Sequence, residues 1–220
     1  VRRIGLNELQ RALEVIYGVE APRPVEEFVV GPAWLERIGV RSGAPEELLV
    51  LERSGEVEVG LWISPHVMAR LSGLEWERLS PRGFLDLLLP AFSTAAEGVS
   101  HFLYLTLQAV KDRAVSLLEL EVQAEVDKFA TALLHLWRQG ERHHSSELRR
   151  RLFERVSYRR ELSSEARERY SLANRLARGY ASFLERRFIL RGCIEGLLRE
   201  LRCSYRLPSV AKFAHLAQAA

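Results

Sequence analysis

The chain has 220 residues, 47% of them hydrophobic and 28% charged, with 32 basic against 29 acidic side chains. That length fits one domain, or one domain with a small appendage, and the hydrophobic share excludes a disordered chain. The run 85–92 is the most apolar, yet it carries Asp86 and falls far short of the roughly 18 residues that span a bilayer. No membrane partner is expected, and the opening residues lack the apolar core of a secretory signal, so a cytoplasmic location is expected.

Charge is unevenly placed. Residues 1–137 hold 13 basic and 20 acidic side chains, net −7, whereas 138–220 hold 19 and nine, net +10. Arginine outnumbers lysine 29 to three, a ratio that codon bias in a GC-rich genome explains. Cys193 and Cys203 stand ten residues apart in a helical pattern. That spacing separates their Cα atoms by about 15 Å, beyond disulfide reach, and both are expected reduced and buried.

In chain order, Asn7 is expected to cap a first helix running to Gly18, with Gln10 completing the capping box and Leu9, Leu13 and Ile16 as its apolar stripe. Residues 25–30 fit helix and strand equally. Residues 32–38 read as a short helix stopped at Gly39. Residues 47–53 and 56–63, separated by Ser54-Gly55, form a predicted β-hairpin. Val57, Val59, Leu61 and Ile63 share its buried face, which must rest on helices or on another strand. Ser64-Pro65 and Ser80-Pro81 each set a cap before a proline at the first helical position.

Thr94-x-x-Glu97 and Ser116-x-x-Glu119 are read as capping boxes opening helices over 94–110 and 116–138, the expected central antiparallel pair. Ser145 opens a helix to about Arg160. Ser163 or Ser164 opens the next, whose Ala166, Tyr170, Ala173, Ala177, Tyr180 and Leu184 form a packing seam. No breaker is evident between it and 188–203, where Gly192 and Gly196 are expected inside the helix. Residues 210–216 read as a short final helix or a frayed tail. The expected fold is therefore mainly α with a minor β part: an α+β portion over 1–75, a helical body over 80–206 and a tail over 207–220, together one folded unit.

Two constellations stand out for chemistry. Glu97 and His101 on one helix, and Glu121 and Glu125 on the next, would meet across an antiparallel pair as ligands for a divalent ion. Against that, Glu97 is already used by its capping box. Glu97, Ser100, His101, Tyr104, Gln108 and Lys111 lie on one side of their helix in the manner of a solvated face, and Glu121, Glu125 and Lys128 pair among themselves. No cofactor is expected. The second constellation is basic: Arg149, Arg151, Arg155, Arg159 and Arg160, of which 151, 155 and 159 would align at four-residue spacing. Guanidinium forks suit phosphate or carboxylate partners. Glu147, Glu154, Glu161 and the acidic N-terminal portion offer internal partners.

His143-His144 reads as a solvated loop, and Asp127, Thr131 and His135 as a surface hydrogen-bond row. Phosphate loops, Gly-x-Ser-x-Gly elbows and Cys-x-x-Cys pairs are absent. The sequence therefore favours a non-enzymatic interaction or regulatory protein with a protein partner or a second copy of itself, joined through the 164–203 seam. Nucleic-acid binding through the arginine helix is the alternative, and a helical metal-dependent enzyme the second.

Overall fold

The computed structural model describes residues 5–53, 55–73, 78–140, 142–156, 158 and 162–219. They form a mainly helical fold with one small three-stranded sheet. Helix α1 (Leu6–Tyr17) buries Leu6, Leu9, Leu13 and Ile16. Its cap is Gly5, not Asn7: the Glu8 carboxylate accepts the Gly5 N–H at 2.8 Å. Asn7 instead donates to Glu26, and Gln10 accepts the Val25 N–H, so both residues tie the helix to the segment that follows.

The ambiguity of 25–30 is resolved as both answers. Val25–Phe28 is a 3₁₀ turn, and β1 (Val29–Val30) pairs in parallel with β3 (Glu56–Ile63), which pairs antiparallel with β2 (Glu46–Arg53). Arg53 opposite Glu56 gives the expected two-residue connection. The buried face is only half of what alternation suggests. Leu61 and Ile63 are buried, but Val57, near the turn, is 63% exposed. Gly60 and Trp62 on the other face are buried too, because α2 (Pro32–Arg37) lays Trp34 over Gly60, where a Cβ would sit 2.7 Å from the indole.

After α3 (Pro65–Gly73), Ser80 caps the helical turn α4 (Pro81–Gly83), which runs on through a π-helical stretch, Phe84–Leu88, into α5 (Leu89–Ala109). The wide turn lies just before Pro90, which has no N–H to give, and Leu89 donates to Phe84 five residues back. Because the helix starts this far upstream, Thr94 and Glu97 are interior positions and no capping box forms; the Thr94 hydroxyl bonds the Pro90 carbonyl. Ser116 does cap α6 (Leu117–Arg138), accepting the Glu119 N–H, and Gly140 follows its end with φ +82°. Helices α5 and α6 are the central pair. The contacts 97 to 128, 100 to 127 and 104 to 119 run in opposite directions and show them antiparallel.

Helix α7 (Ser145–Phe153) stops seven residues before the expected end at 160. Phe153 is buried near Phe129, and Glu154 turns back to pair with Arg149 and Arg178. Helix α8 (Ser164–Leu184), capped by Ser163, continues as a π-helical stretch over Glu185–Ile189. It then breaks at Gly192, which adopts φ +67°, so Gly192 is not inside a helix as expected and α9 (Ile194–Arg206) is separate. The alanine seam of α8 packs within the chain on α6, α7 and α10 (Ser209–Ala219) rather than facing outward for a second copy. Helix α10 is a full helix with Lys212 and Leu216 buried, and both cysteines are exposed, against the expectation of burial. One hydrophobic cluster runs from Leu6 to Leu216.

Candidate metal centre

Helix α5 presents Glu97 and His101 one turn apart, and α6 faces them with Glu121, Glu125 and Lys128. The first residue of β2, Glu46, enters from the sheet side. It has room because position 98 is glycine: a Cβ there would stand 3.0 Å from the Glu46 Oε2 and 3.1 Å from Leu61. Arg169 on α8 closes the far side, its guanidinium over the Tyr170 ring at 5.3 Å, with Tyr158 next to Tyr170.

One ligand atom each from Glu97, His101 and Glu121 lies within 4.8 Å of the other two. An ion held at about 2.1 Å by such ligands places them up to about 4.2 Å apart, a little closer than the upper bound here. His101 sits between two carboxylates, its Nδ1 3.7 Å from Glu46 and its Nε2 3.7 Å from Glu121, both beyond hydrogen-bond length. His101 is 8% exposed as a residue and 11% at its side chain, and its Nε2 has no hydrogen-bond partner. Glu46 Oε2, Glu125 Oε2 and Arg169 Nε are buried in the same place without hydrogen-bond partners, although Arg169 Nε lies 3.7 Å from Glu121 Oε1 as an ion pair. Lys128 is satisfied: its ammonium donates to Glu97 at 3.0 Å and to Glu125 at 2.9 Å.

The electrostatics follow from crowding carboxylates out of water. Burial pushes Glu121 up to about 7, against the pull of His101, and pushes Glu46 and Glu125 up as well. Glu97 is also penalised by burial, but Lys128 and His101 hold it below the usual carboxylate range. Burial alone would lower His101; Glu46, then Glu121 and Glu97, raise it to about 9. Without an ion, the imidazolium itself balances the surrounding negative charge.

All four residues picked out for their spacing, Glu97, His101, Glu121 and Glu125, are thus brought together. The solvated-face assignment is overturned: Ser100, His101, Tyr104 and Gln108 are buried and only Lys111 is exposed. Glu46, Arg169 and the cross-helix partner of Lys128 escaped sequence reasoning. Gly98 beside Glu97 was the available signal, since a glycine in a helix interior marks a close approach.

The other candidates resolve differently. Arg149 bonds Glu185 and pairs with Glu154, Arg150 bonds Glu147, and Arg151 bonds Glu147 and the Leu85 carbonyl and pairs with Asp86. Arg155 lies beyond the helix end and is exposed, so among the described residues Arg151 and Arg155 do not share α7; Arg159 and Arg160 lie outside the described residues. Asp127, Thr131 and His135 are buried, not a surface row. Asp127 accepts bonds from Tyr17, Ser100 and Gln123, and burial lowers His135 to about 4. His143 is exposed but His144 is half-buried, and both lie in a 3₁₀ turn, Arg142–His144, rather than an open loop.

No family model, curated protein or solved structure matches this chain, so its chemistry rests on the geometry above. Two carboxylates and an imidazole suit a borderline cation such as zinc, manganese or iron(II), and leave coordination positions for water. No helix of the described residues is long and apolar enough to cross a membrane.

Proposed function

We propose that this protein is a metal-dependent enzyme in which Glu97, His101 and Glu121 hold one divalent cation that activates water for a hydrolytic reaction. The observation that carries this is the His101 Nε2, buried, without a hydrogen-bond partner and 3.7 Å from the Glu121 carboxylate. A buried polar atom left without a partner costs roughly 1–3 kcal/mol, and a coordinate bond to an ion removes that cost. A cation bound there lowers the pKa of a bound water and polarises an acyl or phosphoryl oxygen. Glu97, 22% exposed at its side chain, is the most open of the three ligands and marks the solvent side of the centre.

The arginine-rich helix supports the interaction and nucleic-acid alternatives less, because its described guanidinium groups on α7 are engaged with Glu147, Glu154, Glu185 and Asp86. The test is elemental analysis of the purified protein, followed by titration of the metal-stripped form with Zn²⁺ and Mn²⁺. One ion per chain is expected, lost in H101A and in E121Q while the circular dichroism spectrum is retained. A wild-type protein that takes up neither ion at micromolar concentration overturns the proposal.

A further inference from the structure

The centre holds more carboxylate than one ion needs. Glu97, Glu121 and His101 suffice as primary ligands, yet Glu46 and Glu125 are brought to the same place and each leaves a buried oxygen without a hydrogen-bond partner. Two carboxylates bridging a buried cation are what a second metal position would require, and one such position is already filled. The Lys128 ammonium lies between Glu97 Oε2 and Glu125 Oε1 at 3.0 and 2.9 Å, on a side chain only 11% exposed.

We infer that Lys128 acts as the resident second cation of the centre and restricts it to a single divalent ion. This rests on the metal-centre reading above and adds the number of ions to it. Charge supports it independently of distance. With a neutral His101, the carboxylates of Glu46, Glu97, Glu121 and Glu125 are balanced by Lys128, Arg169 and one dication. A second dication beside Lys128 would leave two positive charges uncompensated in a site screened from water, where unpaired charge is costly. Lys128 also occupies the Glu97 Oε2, so Glu97 has its other oxygen to offer to one ion rather than bridging two. Position 128 is the point where this centre departs from a two-ion carboxylate cluster: removing the ammonium, while keeping Glu97 and Glu125, opens the second position.

The experiment is Mn²⁺ binding to the metal-stripped full chain, read by stoichiometry and by the electron paramagnetic resonance of the bound ion. Wild type and K128R are expected to bind one Mn²⁺ with the six-line spectrum of an isolated ion. K128M is expected to bind two, with the broadened spectrum of a coupled pair, and K128M/E125Q to return to one. Two ions in wild type overturn the inference and leave the functional proposal standing, as does a folded K128M that binds one. A K128M that remains unfolded in saturating Mn²⁺ also overturns it, because the second ion should replace the lost ammonium. No Mn²⁺ or Zn²⁺ in wild type overturns the functional proposal itself.

Discussion

Helices α5 and α6 carry two buried polar clusters side by side, and the two are built to opposite rules. Toward one side, Asp127 accepts from Tyr17, Ser100 and Gln123. The ammonium of Lys212 on α10 donates to Tyr104 and Gln123 at 2.8 Å each, and Tyr104 and Arg113 converge on Glu119. Donors there meet acceptors, and three further helices, α1, α9 and α10, close it off; only Glu119 Oε2 and the Tyr205 hydroxyl are left unpartnered among its described atoms. Toward the other side, four carboxylates, Glu46, Glu97, Glu121 and Glu125, face His101, Lys128 and Arg169, and nitrogen and oxygen atoms alike are left without hydrogen bonds at 3.7 Å separations. A satisfied network fixes which helix packs where. An unsatisfied one of like charges costs stability, and such a cost is what binding sites carry.

The sharpest way to break this contrast is to exchange the expected consequences. H101A should weaken Zn²⁺ or Mn²⁺ binding by more than about 100-fold, since a ligand lost outright exceeds the loss of an outer-shell partner. K212M, in the satisfied network, should leave metal affinity unchanged. Isothermal titration on both variants makes the comparison. Equal losses would mean the two clusters form one cooperative unit.

In the satisfied network the large effect is on folding. D127A strands the Tyr17 and Ser100 hydroxyls and one Gln123 donor in the core, and should lower unfolding free energy by about 3 kcal/mol in urea titrations. A loss below about 1 kcal/mol would show that water replaces the carboxylate and that the network is less closed than its burial indicates.

Helix order and the hairpin were legible because caps and periodicity are local: Ser80, Ser116 and Ser163 all cap helices in the structure. The sites were legible only in part. Glu97, His101, Glu121 and Glu125 declared themselves by four-residue spacing, but a polar stripe on an amphipathic helix is ordinarily the wet one. Here α5 and α6 are enclosed on several sides by β2, α1, α3, α7 and α8, so their polar stripes face protein, and the sign of the inference reverses. Nothing in local pattern reports that Glu46 on a strand completes the set. Where Ser145 begins a helix, its end at Phe153 was likewise hidden, because the Glu154 carboxylate that turns the chain is held by Arg149 and by Arg178 of another helix. The Arg151–Arg155–Arg159 row depended on that end.

A smaller effect separates the clusters by pH. Burial pushes Lys212 down to about 7, against the pull of Glu119 and Asp127, with Arg113 pushing the same way as burial. Tyr104 and Tyr205 face the ammonium with their rings. Between this value and the ordinary lysine range the unfolded chain keeps a proton that the folded chain has released, so stability rises with pH; below 7 both forms are protonated and the full burial cost is present. From pH 7 to 9 the gain of wild type relative to K212M should be about 2 kcal/mol, read from urea midpoints. Parallel profiles would show that Tyr104 and Gln123 hold the ammonium charged.

The smallest expected effect is the most telling, because its sign differs between the clusters. Glu121 is buried beside Glu46 and Glu97, and burial holds it near 7, so near neutrality the apoprotein bears much of the cost of an ionised carboxylate placed among others. Glutamine keeps the shape and removes the charge, at the cost of the 3.7 Å pairings with His101 and Arg169. E121Q should therefore raise the unfolding free energy of the metal-free protein by about 1 kcal/mol while abolishing metal binding, as residues kept for function at the expense of stability do when replaced. D127N, the same exchange in the satisfied network, sets an amide donor against the Tyr17, Ser100 and Gln123 donors and should destabilise. If both exchanges destabilise, the carboxylates around His101 are held together by the imidazolium, Lys128 and Arg169 as a structural ion cluster, and the crowding of carboxylates is not a site in waiting.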